Sequence, residues 1–163
     1  MNLFHIPLRA WFATLALGCF GLVAFGLALQ EMLRLSPCPL CIFQRLLYVL
    51  VGGLALAGFI LPIGRLLWIG AIGVLALFGA GVAIYQSWMQ LFPDLAPECS
   101  FTDPNLIERL VDWLGMQMPS LFLATGFCTS IDWTFLGLSM ANWSALIFLA
   151  IAAYVVMLAR HSR

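Results

Sequence analysis

Four long apolar stretches organise the chain, the first three separated by short polar or proline-bearing segments and the last by the long segment 90–142: Trp11 to Gln30, Ile42 to Leu61, Leu66 to about Met89, and Trp143 to Ala159. Each approaches the length of about 20 residues that an α-helix needs to cross a hydrocarbon core. All eight prolines (7, 37, 39, 62, 93, 97, 104 and 119) fall outside the apolar centres of these stretches. Uninterrupted runs predict helices, because a membrane-spanning β-strand alternates apolar and polar positions. The expected fold is all-α: an antiparallel bundle of four transmembrane helices forming one membrane domain over residues 1–163, with loops at about 31–41 and 90–142. The first run continues to about Leu29 with no clear small-x-small cleavage pattern, so it reads as a permanent helix rather than a removed signal peptide. Leu17-Gly18-Cys19 is faintly similar to a lipoprotein processing site, but ten more apolar residues follow Cys19, which puts it in mid-helix.

Composition agrees with the pattern. A chain that is 64% hydrophobic and 9% charged, with mean hydropathy +1.06, cannot present an ordinary solvated surface. No nucleic-acid partner is expected; the surrounding partner is lipid. Four spans put both termini and the 62–65 connection on one side. Arg9, Arg65, Arg160 and Arg163 lie there, whereas Arg34, Arg45 and Arg109 lie on the other side with all seven acidic residues, giving that face a formal charge of −4. Arg109 sits in the long loop, where charge counts less for orientation, so the termini are expected in the cytoplasm. Within that loop Asp103-Pro104 reads as a helix start. Leu106, Ile107, Leu110, Val111 and Leu114 then share one face of a short helix, expected to lie at the membrane surface or to pack on protein. Trp88, Trp113, Trp133 and Trp143 read as interface anchors, and Gly70, Gly73, Gly79 and Gly81 as permitting close helix packing in the third span.

The topology sorts the cysteines. Cys38, Cys41, Cys99 and Cys128 share the non-terminal side, and four thiols on an oxidising face read as two disulfides. Cys38 and Cys41 are close enough to bridge each other, Cys99 and Cys128 are the remaining candidates, and sequence alone permits three pairings. A zinc site is disfavoured, because Cys99 and Cys128 are 29 positions apart and both histidines, His5 and His161, lie across the membrane. Inert staples fit Cys38-Pro39-Leu40-Cys41 poorly, since so small a ring gives little loop-closure stabilisation. A tight pair suits cycling between dithiol and disulfide. Arg45 follows four residues after Cys41: a cation there favours thiolate and can donate to a carbonyl oxygen that becomes anionic on reduction, which suits a quinone dissolved in the bilayer.

The run Cys-Pro-Leu-Cys-Ile-Phe-Gln-Arg, the Gln90-Leu91-Phe92-Pro93 segment before Cys99, and Cys128 followed by Trp133-Thr134-Phe135-Leu136-Gly137-Leu138-Ser139-Met140 resemble the disulfide bond formation protein B (DsbB) family, quinone-linked oxidases of the bacterial inner membrane. The resemblance spans nearly the whole chain. It implies that Cys38 and Cys41 are the redox pair beside the quinone, with Cys41 the partner of a thiolate–quinone charge-transfer complex or adduct. It further implies that Cys99 and Cys128 are the loop-borne pair, and that Cys99 forms a mixed disulfide with a periplasmic thioredoxin-fold oxidase of the DsbA type. Arg45 matches the family's quinone-binding arginine, and Gln44, Gln86 and Phe92 stand at quinone-proximal positions. Gln44 and Gln86 are amides where some relatives carry an acid and a histidine, so they offer no titrating relay. The implied acceptor is ubiquinone or menaquinone, with no metal. A reductase of the vitamin K epoxide reductase type is the redox alternative, and a small transporter or assembly factor with stapled loops the non-enzymatic one. The latter predicts buried charges within the spans, and only Arg45, at a span end, is present.

Overall fold

The computed structural model describes residues 8–61, 64–95 and 105–161 of the 163. Four long helices dominate: α1 (Leu8–Leu33), α2 (Pro39–Ile60), α3 (Arg65–Leu91) and, after the loop elements, α6 (Met140–His161). At 1.5 Å per residue they are roughly 33 to 40 Å long, enough to cross a bilayer. All four are apolar enough to do so, and the molecule is a multi-pass membrane protein. Helices α1, α3 and α6 extend beyond the corresponding apolar runs at both ends, whereas α2 starts three residues before its run and ends one residue short of it.

The helices pack in the order α1, α2, α3, α6, and α2 is the most enclosed, burying half of its most apolar 18-residue window against 28% for α1. Phe12, Ile42, Val51, Ile72 and Phe148 fill the interior, whereas Leu17, Leu67 and Val74 point outward, as expected where lipid rather than water surrounds the bundle. Gly79 lets α3 meet α6 closely: a Cβ there would sit 2.7 Å from ring carbons of Phe148. Phe148 in turn stacks on Tyr48 of α2, with centroids 4.2 Å apart and planes 7° from parallel. Gly73 abuts Val155 in the same way, but Gly70 and Gly81 face open space, so only two of the four glycines serve packing inside this chain. Helices α1 and α6 meet through Trp11 and Tyr154, 5.1 Å between ring centroids, at the end that carries the termini. Towards the opposite end they part, and the gap becomes a cavity.

The opposite end holds the loops. Helix α4 (Leu106–Gln117) is capped by Asn105, whose side chain accepts from the Ile107 and Glu108 amides, each at 3.0 Å, while Glu108 accepts from the Asn105 amide at 2.8 Å. Asp103 and Pro104, expected to start this helix, lie outside the described residues, and the cap is Asn105. The apolar face also divides. Val111, Gly115 and the flanks of Ile107 and Leu114 pack on the protein, whereas Leu106, Leu110 and Trp113 point away from it. A one-turn helix, α5 (Pro119–Phe122), follows. Two short strands, β1 (Thr134–Phe135) and β2 (Leu138–Ser139), then pair antiparallel through Leu136 and Gly137, both with positive φ (53° and 78°), the geometry of a type I′ hairpin turn. Gln90 ties this hairpin to α3, accepting from Ser139 Oγ at 2.7 Å and donating to the Ser130 carbonyl at 3.2 Å.

Candidate active site

Two prolines shape the thiol motif. Residues preceding proline avoid helical backbone, and Cys38, between Pro37 and Pro39, is extended (φ −82°, ψ 164°), which makes it the N-cap of α2 with Pro39 in the first turn. Its carbonyl accepts from the Ile42 amide at 3.1 Å, and its Sγ accepts from the Cys41 amide at 3.4 Å. The Cys38 thiol reaches Cys41 Sγ at 3.3 Å. Cys38 is thus the cap and Cys41 lies in the first turn, where unpaired N–H groups and the helix dipole favour negative charge.

The loop brings a third sulfur to the same point. The amides of Thr125 and Gly126 donate to the Pro37 carbonyl at 2.9 and 3.1 Å, so this segment lies flat on residues 36–38. Only glycine fits at 126, because a Cβ there would collide with the Ser36 backbone carbonyl. Two residues on, buried Cys128 shares a side-chain hydrogen bond with Cys38. Hydrogen bonds to Cys128 and Cys41, with burial, hold the proton on Cys38 and push its thiol well above the ordinary range. Cys99 lies outside the described residues.

Two buried amides complete the sulfur environment. Gln86 of α3 donates from Nε2 to Cys41 Sγ at 3.0 Å and to Cys38 Sγ at 3.3 Å, and its Oε1 accepts from Gln44 Nε2 at 2.7 Å. Gln86 is thereby a sulfur ligand, and Gln44 its orienting partner. Arg45 acts as a clamp, donating to the Leu121 carbonyl of α5 at 2.6 Å and to Gln30 Oε1 of α1 at 2.9 Å. Phe92, at the C-terminal cap of α3, is half exposed beside Trp88 and lines neither cavity described next.

Cys41 stands between two cavities. The larger, about 420 Å³, lies between α1, α2 and α6 and is walled by apolar side chains such as Leu22, Phe25 and Ile147, with Gln44, Arg45, Tyr48 and Ser144 as its polar points. Trp133, Phe135 and Trp143 close its loop end. The first two stack with centroids 6.0 Å apart, and Trp143 Nε1 donates to the Phe135 carbonyl at 3.1 Å. Trp133 and Trp143, read as interface anchors, also line the cavity wall at its loop end. The smaller cavity, about 60 Å³, is lined by Cys38, Cys41, Gln86 and loop residues including Ser130 and Asp132. Of the sequence-derived candidates the fold gathers Cys38, Cys41, Cys128, Gln44, Arg45 and Gln86. Sequence reading missed Tyr48, although it falls three residues after Arg45 and seven after Cys41, a spacing that shares one helix face. Gly126 and Gln30 carried no such signal.

Four helices long and apolar enough to span a membrane surround a part-buried, hydrogen-bonded thiol pair, and with the family match this places the chain in a class, the membrane oxidoreductases of disulfide formation. The family described as "Disulfide bond formation protein DsbB" matches residues 8–158, and the chain belongs to that family. Similar proteins bear the name "Disulfide bond formation protein B". That of Dechloromonas aromatica is 70% identical over 153 residues, covering 94% of this chain and 93% of its own. Those of Azoarcus sp. (45% over 144 residues; 86% and 85% covered) and Aromatoleum aromaticum (39% over 167 residues; 100% and 99% covered) agree across almost the same span.

Proposed function

We propose that this protein is a protein-thiol:quinone oxidoreductase, a single membrane domain of the bacterial inner membrane. Its termini are cytoplasmic, its loops 31–41 and 90–142 are periplasmic, and it reoxidises a DsbA-type dithiol. The observation that carries the reading is the position of Cys41, which reaches loop-borne Cys128 through Cys38 on one side and walls an apolar 420 Å³ cavity on the other. That volume lies within the range of roughly 300–1,000 Å³ usual for small-molecule sites, and a few polar groups in an apolar wall suit a quinone ring.

The relay runs by thiol–disulfide exchange. A thiolate of the reduced partner attacks Cys99 of a Cys99–Cys128 disulfide, and the partner's second thiol resolves the mixed disulfide, leaving two electrons on Cys99 and Cys128. Cys128 then attacks Cys38 of a Cys38–Cys41 disulfide and expels the Cys41 thiolate. Cys99 attacks Cys128, restoring the loop disulfide and freeing Cys38. Gln86 holds the sulfurs of this pair in line, and Arg45 keeps the loop against the helix while facing the cavity. The chemistry supplied there by quinone is acceptance of two electrons and two protons as Cys38 and Cys41 close to a disulfide.

Purified protein in detergent, given a reduced DsbA-type partner and a short-chain quinone, is expected to reduce the quinone. Cys38→Ser and Cys99→Ser are expected to abolish the reaction. Parent-like rates in either variant refute the relay. Thiol labelling of intact cells after reduction tests the orientation, which requires Cys99 and Cys128 to react from outside.

A further inference from the structure

Two hydroxyl groups face the larger cavity without a part in thiol exchange. Tyr48 of α2 and Ser144 of α6 are each more than nine-tenths buried, and both line the cavity that Cys41 and Arg45 also wall. Tyr48 Oη lies 3.0 Å from Ser144 Oγ and 3.3 Å from the Ser144 carbonyl. The Tyr48 ring is fixed by its stack on Phe148, which is itself backed by Gly79.

A hydrogen count shows what the pair can do. When the Tyr48 proton goes to the Ser144 carbonyl, the Ser144 hydroxyl donates to Tyr48 and every donor is used. When the Tyr48 proton goes to Ser144 Oγ, the Ser144 proton is released towards the cavity, and the buried phenol remains satisfied. The pair therefore has one transferable donor that costs no orphaned polar group in either arrangement. Serine and tyrosine hydroxyls are expensive in an apolar wall unless they have partners, and this pair keeps them partnered with or without a ligand. Arg45 lies three residues earlier on α2, roughly 4.5 Å along the helix axis, and two of its five N–H donors are accounted for by Leu121 and Gln30. Polar donors thus stand at two levels of one apolar wall, a turn apart, which matches a ligand with carbonyls at opposite edges of a ring.

We propose that the Tyr48–Ser144 hydroxyl pair is a second polar anchor for the quinone ring, donating one hydrogen bond to a ring carbonyl. This inference rests on the quinone reading above. It assigns the pair a positioning and specificity role; electron transfer stays with the cysteines.

The test uses the oxidised full-length protein in detergent, so that binding is read without turnover. The probe is a short-chain ubiquinone carrying ¹³C at its ring carbonyls. Quenching of tryptophan fluorescence reports occupancy, since Trp133 and Trp143 line the cavity. Infrared difference spectra report hydrogen bonding to each carbonyl. A net hydrogen bond is worth about 0.5–1.5 kcal/mol, so Ser144→Ala, which removes the transferable donor, should raise Kd on the order of 2- to 12-fold, whereas Tyr48→Phe leaves that donor in place and should change Kd less. Ser144→Ala should return one down-shifted carbonyl band towards its free frequency, whereas Tyr48→Phe should keep it down-shifted. Ser144→Thr, which retains the hydroxyl, should keep both the affinity and the band, whereas a purely structural role for the pair would alter thermal stability and leave the carbonyl frequencies unmoved. Unchanged carbonyl bands or unchanged Kd in Ser144→Ala overturn the inference while leaving the relay intact. Failure of the parent protein to bind the quinone at all overturns the relay's acceptor as well.

Discussion

Replacing Gly126 with alanine should uncouple the two thiol pairs without touching a cysteine. The added Cβ meets the backbone of Ser36, with the carbonyl carbon 2.9 Å away, and backbone cannot rotate aside as a flexible side chain does. Overpacking of this kind costs about 1–3 kcal/mol. The alternative is to lift residues 125–126 off Pro37, which sacrifices two backbone hydrogen bonds worth about 0.5–1.5 kcal/mol each. Both routes lead to about 1–3 kcal/mol, and either moves Cys128, two residues on, away from Cys38. If contact of these sulfurs gates exchange, the step slows roughly 5- to 150-fold, since about 1.4 kcal/mol is a factor of ten. Stopped-flow measurement of partner oxidation reads the step. Quinone reduction driven by a small dithiol, which reaches Cys38–Cys41 without the loop, supplies the control and should keep at least half its parent rate. A Gly126→Ala variant that oxidises its partner at the parent rate would show that docking on Pro37 does not position Cys128.

Four further outcomes are expected. Gln86→Leu strips both sulfurs of a donor and orphans the buried Gln44 amide, costing about 1–3 kcal/mol in detergent unfolding; the Gln44→Leu/Gln86→Leu double variant should lose less than the sum of the singles, and strict additivity would deny the coupling. Leu136 has φ 53°, a backbone region costly for a residue with a Cβ, so Leu136→Gly should raise the melting temperature by the equivalent of about 0.5–1 kcal/mol, and a lowered one would refute strain at the turn. Gly79→Ala should destabilise by about 1–3 kcal/mol through collision with Phe148, whereas Gly70→Ala, facing open space, should stay within about 0.5 kcal/mol of the parent in the same melts. In the dithiol form the folded Cys38 thiol lies above its unfolded value of about 8.5, so its stabilising contribution is complete below that pH and is lost as pH rises towards the folded value; melting temperature should fall on the alkaline side, and Cys38→Ala should flatten the fall.

The helices were legible because a span must satisfy its backbone internally, which leaves a run of apolar residues that nothing else in a short chain imitates. The thiol motif was legible because its parts are local: Pro37, Cys38, Pro39 and Cys41 build cap, first turn and sulfur pair within five residues. Residues that complete the site from elsewhere gave less away. Gln86 meets Cys41 across 45 positions of chain, and its amide says nothing of a sulfur partner until α3 lies against α2. The family resemblance drew attention to it, but as a quinone neighbour rather than a sulfur ligand. Trp133 and Trp143 fit the interface rule by depth and composition, and they also line the cavity, Trp133 stacked on Phe135 of the hairpin and Trp143 hydrogen-bonded to the Phe135 carbonyl, contacts that hydropathy does not register. Helix α4 formed where expected, but its apolar positions divide. Its five apolar positions share one stripe by spacing, but the protein packs Val111, Ile107 and Leu114 and leaves Leu106 and Leu110 exposed, a division that spacing alone does not register.

The amide pair at the centre of the site also bears on the proton path. A carboxylate or imidazolium at the level of Gln44 and Gln86 would have to be held charged or neutral inside a membrane bundle, where an ionised side chain costs about 2.5 kcal/mol or more. Two amides avoid that cost, since Gln44 donates to Gln86 Oε1 while Gln86 directs its own N–H groups at sulfur. No titrating side chain is needed for balance. Closing Cys38 and Cys41 to a disulfide releases two protons, the number that reduction of a quinone to quinol takes up. Cys38 keeps its proton through its hydrogen bonds to Cys128 and Cys41, so one of the two is stored on the sulfur itself until the disulfide forms. Proton delivery then requires only that the thiols and the acceptor share one water-poor space, and Cys41, in the walls of both cavities, is the residue that joins them.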